Sequence, residues 1–181
     1  MVCDISEGRM RKLAGAIVLV SFLLVNTSVA GIDQVTTILL VRHAEKSTTP
    51  PENPLLNEKG RARAASLVTL LGAAGIQAIF TSQYARTHET AEPLAKHLGL
   101  TIQQRDAGDT QKLIGEILSR YRGKVVLIVG HSNTLPEMIQ ALGGGTIPEI
   151  EDTEFDNLFV VTVYGPGKAK AIRLKTTRSS G

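Results

Sequence analysis

Two arginines and two histidines stand where side chains of their kind are costly to bury. Arg42 and His43 end the apolar run ILLV at residues 38–41, and His131 ends VVLIVG at 125–130. Arg86 follows a third such run, within FTSQYART. A guanidinium fork binds anionic oxygens in pairs. A neutral imidazole is one of the few side chains that attacks phosphorus at neutral pH without carrying the negative charge that a phosphomonoester dianion repels. Together these groups suit phosphoryl transfer, with His43 as nucleophile and the arginines on the equatorial oxygens where transition-state charge gathers. Taken singly, each has an ordinary reading. A histidine at a strand end is usually a satisfied polar residue, and Arg86 could pair with Glu89 or Glu92 along its own helix.

What brings such residues together is the order of elements around them. Short β-branched runs alternate with longer amphipathic ones, as in an α/β sheet. Strands are predicted at 36–41, 78–81, 101–103, 125–130 and 158–164, with an edge strand at 169–175; helices are predicted at 57–71, 85–98, 110–121 and 135–142. In the third helix Leu113, Ile114, Ile117 and Leu118 form one stripe, while Lys112, Glu116 and Arg120 face away. Gly99 and Gly123 close helical stretches. Strands apolar throughout need helices on both faces, which makes a three-layer sandwich. In such sheets ligands sit beyond the carboxyl ends of strands, where Arg42, His43 and His131 fall.

The first thirty residues differ in character. Arg9, Arg11 and Lys12 precede the uncharged LAGAIVLVSFLLVNTSVA, which closes on Ser28-Val29-Ala30. This layout predicts a secretory signal peptide over 1–30, cleaved after Ala30, and a periplasmic or secreted domain over 31–181. Met10 is an alternative start, and an uncleaved membrane anchor is the alternative fate of the segment. The stretch approaches a bilayer span only if Asn26, Thr27 and Ser28 are counted in, which favours cleavage and no stable membrane insertion. The sole cysteine, Cys3, precedes the apolar run, so neither a lipid anchor nor a disulfide is expected. Three basic and two acidic residues lie in 1–30, so the rest carries 17 Lys and Arg against 15 Asp and Glu, too even for a nucleic-acid face. With 43% hydrophobic residues in 181, one domain with a substantial core is expected. No surface readable in the sequence assigns an oligomeric state.

VRHAEK (41–46), TSQYARTHETAEPLA (81–95) and GHSNTLP (130–136), in this order and spacing, resemble the histidine phosphatase superfamily. The likeness is to its phosphoglycerate mutase-like branch 1, which includes many small phosphatases, and the chain looks like a small exported phosphatase resembling SixA- and Ais-type members. It covers residues 35–164 and implies a mixed, mostly parallel sheet and a phosphohistidine intermediate on His43. Arg42, Arg86 and His131 are then the phosphate-binding residues, with His131 donating as the cation. No cofactor is implied. A metal is not expected either, because the four histidines lack HExxH spacing, no cysteines cluster, and arginines beside His43 repel a divalent cation.

The general acid is the open member. Mutase-like relatives place a glutamate in the loop after the third strand; here QQRDAGDT (103–110) offers Asp106 and Asp109. Asp106, nearer the strand end, is the candidate catalytic acid, whereas Asp109 reads as a helix N-cap. Glu45 is a third possibility that needs a raised pKa to donate, or it orients a basic residue. The other branch puts an aspartate after its second histidine, where this chain has Ser132. Around the site, Lys46 and Ser47 are placed at the pocket edge, and Asn57 is an N-cap with Gly60 and Arg61 in the first turns. His88 and His97 read as structural or exposed. The five acids within 149–156 read as a solvated loop, or as a wall that disfavours anionic substrates. The expected activity is metal-independent hydrolysis of a small or exposed phosphomonoester: a sugar or lipopolysaccharide phosphate, a small metabolite, or a phosphohistidine on a protein. A non-catalytic phosphate- or phosphopeptide-binding module is the alternative.

Overall fold

The computed structural model describes residues 35–176; the predicted signal peptide lies outside them. The elements run β1 (Thr36–Arg42), α1 (Glu58–Leu71), β2 (Ile76–Thr81), α2 (Ala85–Leu98), β3 (Ile102–Gln104), α3 (Thr110–Arg120), β4 (Val125–Gly130), α4 (Thr134–Ala141), β5 (Asn157–Gly165) and β6 (Lys168–Lys175). The strands form one sheet in the order β3-β2-β4-β1-β5-β6. The first four of these are parallel, β5 is antiparallel to β1, and β6 is antiparallel to β5. The expected α/β sandwich with a mixed, mostly parallel sheet is the fold found.

Alternation along β1 explains the two-sided core. Ile38 and Leu40 pack with Phe80, Ile128 and Phe159 against Ile114 and Ile117 of α3 and Leu135 and Ile139 of α4. Leu39 and Val41 pack with Ile79, Leu127 and Val129 against Leu67 and Leu71 of α1 and Leu94 of α2. Each such side chain removed from water contributes about 1.5–3 kcal/mol, so the central strands are held on both faces up to their last residue. Among the described residues no helix is long and apolar enough to cross a membrane.

Two helix starts bear on the site. At α1, Asn57 caps as predicted, its Oδ1 accepting the Gly60 N–H at 2.9 Å, and the Asn57 N–H donates to the Glu45 carbonyl at 3.0 Å. A Cβ on Gly60 would lie 2.1 Å from that same carbonyl oxygen, so only glycine lets the first turn press on the segment leaving β1. Gly60→Ala is therefore expected to cost roughly 1–3 kcal/mol in denaturant unfolding and to lower activity as well, because the displaced backbone is two residues from His43. At α3 the expected Asp109 cap is absent. Its backbone, at φ −94° and ψ 39°, is not in the extended region that capping requires, and its carboxylate pairs instead with Lys112 at 3.6 Å.

Candidate active site

Arg42 is the last residue of β1 and lies opposite Gly130, the last of β4; the next residues along the two strands are His43 and His131. The His43 N–H donates to the Gly130 carbonyl at 2.9 Å, which fixes the two strand exits side by side. Arg86 enters from the first turn of α2. The two imidazole centroids are 5.4 Å apart, and Arg86 Nη2 is 3.5 Å from His131 Nδ1. Arg42, His43 and His131 are 7%, 4% and 8% exposed, and Arg86 is half-buried.

The hydrogen bonds of His43 set its chemistry. Its Nδ1 lies 2.8 Å from the Ala44 carbonyl oxygen. A carbonyl only accepts, so Nδ1 carries the proton and Nε2 carries the free lone pair. Burial pushes this imidazole down to about 3, helped by the charges of Arg86 and Arg42 and opposed by the Ala44 bond. His43 is thus neutral across the physiological range. Thr90 holds the segment in place: its Oγ1 accepts the Ala44 N–H at 2.9 Å and donates to the Arg86 carbonyl at 2.7 Å.

His131 departs from the expected cation. Burial, then Arg86 and Arg42, push it down to about 4, because a third positive charge beside two guanidinium groups is unfavourable. In the free protein it is a neutral ring whose Nε2 lies 2.9 Å from Ser82 Oγ.

The two arginines are held differently. Arg42 Nη1 donates to the backbone carbonyls of Glu151 (2.8 Å), Asp152 (3.1 Å) and Glu154 (3.2 Å), while its guanidinium carbon lies 4.3 Å from the centroid of Phe155. Asp152 Oδ1 is 3.7 Å from Arg42 Nη2. The acidic run is therefore neither simply solvated nor simply a wall. Its backbone clamps Arg42, Glu154 pairs with Arg173 and Lys175, and Asp156 pairs with Lys175. Arg86 stacks on Tyr84 at 4.2 Å. It does not pair with Glu89, which accepts the Leu56 N–H instead. Among the described residues, the buried side-chain polar atoms lacking a hydrogen-bond partner are Arg42 Nε, Arg86 Nε, Thr81 Oγ1 and Asn157 Nδ2. Two of the four thus belong to the arginines of this pocket.

The acids separate by environment. Glu45 takes a bidentate bond from Arg63, at 2.9 and 2.7 Å, with Lys59 at 3.3 Å. Burial alone would raise its carboxyl, but the Arg63 bonds and charge outweigh it and bring the group to about 2. It is ionised and holds no proton to donate. Asp106 is exposed, and its Oδ1 accepts the Gly108 N–H at 2.8 Å; with Thr81, Ser82 and His131 it lines a small gap between the strand ends. At the supposed pocket edge, Lys46 bridges to Leu56 and Ser47 Oγ donates to the Thr49 carbonyl. His88 and His97 are exposed. Among the described residues no group of three or more His, Cys, Asp or Glu could hold a metal ion. Sequence reasoning missed Arg63, Tyr84, Thr87, Thr90 and Phe155. Only the threonines left a signal, as hydroxyl residues on the buried stripe of α2.

A neutral imidazole with one free nitrogen, set among guanidinium donors at the carboxyl ends of parallel strands, is an arrangement suited to handling a phosphoryl group. Residues 38–107 match the model of the histidine phosphatase superfamily (branch 1). That segment holds VRHAEK and TSQYARTHETAEPLA, two of the three motifs, together with Arg42, His43 and Arg86. Solved structures agree in fold. A protein assigned as the phosphohistidine phosphatase SixA of Nakamurella multipartitia is 19% identical, with a TM-score of 0.59 over 81% of this chain and 98% of that one. Its counterpart from Agrobacterium tumefaciens is 20% identical, at 0.58 over 76% and 97%. A mycobacterial glucosyl-3-phosphoglycerate phosphatase is 12% identical, at 0.62 over 79% and 100%. No curated protein matches the chain.

Proposed function

We propose that the protein is a metal-independent phosphomonoesterase acting through a phosphohistidine on His43. The observation that carries this reading is the Nδ1–H bond from His43 to the Ala44 carbonyl, which leaves a neutral Nε2 lone pair facing no competing proton. Nε2 attacks phosphorus as the P–O ester bond breaks, and Asp106 supplies a proton to the leaving oxygen. Water, giving a proton to the Asp106 carboxylate, then attacks phosphorus as the P–N bond breaks, which releases phosphate and restores both the neutral ring and the protonated acid. Arg42 and Arg86 bind the equatorial oxygens, and His131 donates a further bond once the anion is present. The exposed carboxylates of Glu149 and Glu151, which line a cavity with Ser132 and Asn133 just after His131, favour a small or exposed ester whose leaving group is not itself strongly anionic. Location outside the cytoplasm belongs to the proposal on the layout of residues 1–30; recovery of a tagged protein in the cytoplasm with those residues intact would overturn it.

The test is a panel of alkyl, sugar and aryl phosphates and phosphohistidine, assayed with EDTA present, for the parent and Asp106→Asn. The parent is expected to hydrolyse alkyl esters. Asp106→Asn should lose roughly 10²–10⁴-fold on those esters, and far less on aryl esters whose leaving group needs no proton. Equal losses on both classes remove Asp106 from the role. No turnover of any member returns the chain to a binding module, and loss in EDTA restored by a divalent cation ends the metal-free mechanism.

The pH profile follows from the two histidines. Both sit below their ordinary value of 6.5, at about 3 and about 4, so neither titrates between pH 5 and 8 in the free protein. The proton His131 needs for donation arrives with the ester monoanion, whose second ionisation lies at about 6. Accordingly, for an aryl ester, whose leaving group needs no proton from Asp106, kcat/KM is expected to be level from about pH 5 to 6 and to fall about tenfold per unit above. A profile that instead rises with pH through 6.5 contradicts the neutral-histidine assignment.

A further inference from the structure

Behind His131 lies a chain of hydroxyls. Ser82 Oγ, 2.9 Å from His131 Nε2, is 2.9 Å from Thr87 Oγ1. Thr87 Oγ1 is 2.7 Å from the Tyr84 carbonyl oxygen and 3.2 Å from that of Ser82. All three side chains are buried. Each hydroxyl has one proton, and a carbonyl can only accept. The Thr87 proton goes to the Tyr84 carbonyl, its shortest partner. Thr87 Oγ1 therefore accepts from Ser82, whose single proton is then committed. Ser82 Oγ must in turn accept from His131 Nε2, alongside a longer approach by the Tyr84 N–H at 3.4 Å. On the far side of the ring, Arg86 Nη2 can only donate, so Nδ1 there presents a lone pair. The two ends of the chain, argued separately, give the same tautomer. Reversing the relay would give up the 2.7 Å bond to Tyr84 within the core.

We propose that Ser82 and Thr87 are positioning residues: their two hydroxyls hold His131 as the Nε2–H tautomer, so that Nδ1 is the atom turned to Arg86 and the bound phosphoryl group. Nδ1 then takes up a proton when the anion arrives and offers it to a phosphate oxygen, while Nε2–H stays on Ser82. The relay also ties the end of β2, the first turns of α2 and the exit of β4 together through one buried chain. Its kinetic consequence rests on the phosphatase reading above, but the tautomer follows from the hydrogen bonds alone.

The experiment uses the full chain labelled with ¹⁵N-histidine, with His131 assigned by its loss in His131→Gln. Two-bond ¹⁵N–¹H correlations at pH 7 without substrate distinguish the two neutral tautomers and the cation. The expected result for the parent is neutral Nε2–H. Thr87→Val keeps the branched shape without the hydroxyl and frees the Ser82 proton to turn toward His131. A mixture of tautomers should follow, with kcat on an alkyl phosphate falling about tenfold and KM little changed, and Thr87→Ser should restore both. A parent His131 that is Nδ1–H or cationic overturns the inference, as does a Thr87→Val protein with unchanged tautomer and rate. If Thr87→Val folds poorly, Ser82→Ala is read in the same spectra, and an unchanged tautomer there overturns it equally. The derived tautomer in a protein inactive on every ester sinks the phosphatase reading and leaves the relay; an active protein with the wrong tautomer sinks the relay alone.

Discussion

His43→Ala should lower kcat on every phosphomonoester by about 10⁴-fold or more, the scale on which a covalent nucleophile is lost. Nothing else in the pocket can replace it. His131 has its Nε2 engaged by Ser82 and its Nδ1 beside Arg86, and Glu45 is locked to Arg63. Brief exposure to labelled substrate, quenched in alkali, should trap a base-stable, acid-labile phosphoprotein from the parent and none from His43→Ala. A labelled His43→Ala protein, or one that retains a tenth of the parent rate, would move the nucleophile elsewhere. Inorganic phosphate should still bind the variant, since Arg42 and Arg86 are held by the 151–154 carbonyls and by Tyr84 rather than by His43.

Glu45→Gln is expected to produce the largest change in stability. The Glu45 and Arg63 side chains are 9% and 16% exposed, and their pairing is bidentate. Removing one partner of a buried pair leaves the other charge uncompensated, at about 3–5 kcal/mol. For a domain of this size that is roughly a 10 °C fall in Tm. Glu45 holds no proton at any pH where the protein works, so the pH profile on aryl phosphates should keep its shape while the unfolding midpoint drops. A shifted alkaline limb with little change in Tm would instead make Glu45 a participant in proton transfer. The double variant Glu45→Gln/Arg63→Met should recover part of the loss, because it removes the stranded cation as well.

The main features of the fold were legible because the residues that form it announce themselves locally. ILLV and VVLIV could only be strands buried on both faces, and Asn57 and Gly99 mark a helix start and a helix end by mechanisms that act within a few residues. Arg42, His43, Arg86 and His131 were legible as residues that make little sense in an apolar context unless they meet. The acidic run was not, because its side chains suggested a job that its backbone performs: three carbonyls on Arg42 carry no residue-type signature. Asp109 misled for a related reason, since capping depends on a backbone angle that composition does not encode. The protonation state of His131 depends on two arginines 45 and 89 positions away in the chain, and no window of sequence contains that sum.

Because β5 runs against β1, Val41 faces Leu158, and the chain approaches the pocket as it enters β5 rather than as it leaves a parallel strand. The two histidines and two arginines of the pocket hang from β1, β4 and α2, and Asp106 from the connection after β3, whereas Phe155 and the carbonyls that grip Arg42 hang from a connection anchored on the other side of β1. Chemistry and rim are thus carried on separate tethers. The 143–156 connection can be lengthened, shortened or exchanged between relatives without altering the register of any strand that holds a histidine. A library confined to that connection, with Phe155 and its grip on Arg42 retained, is where altered leaving-group preference should be sought first.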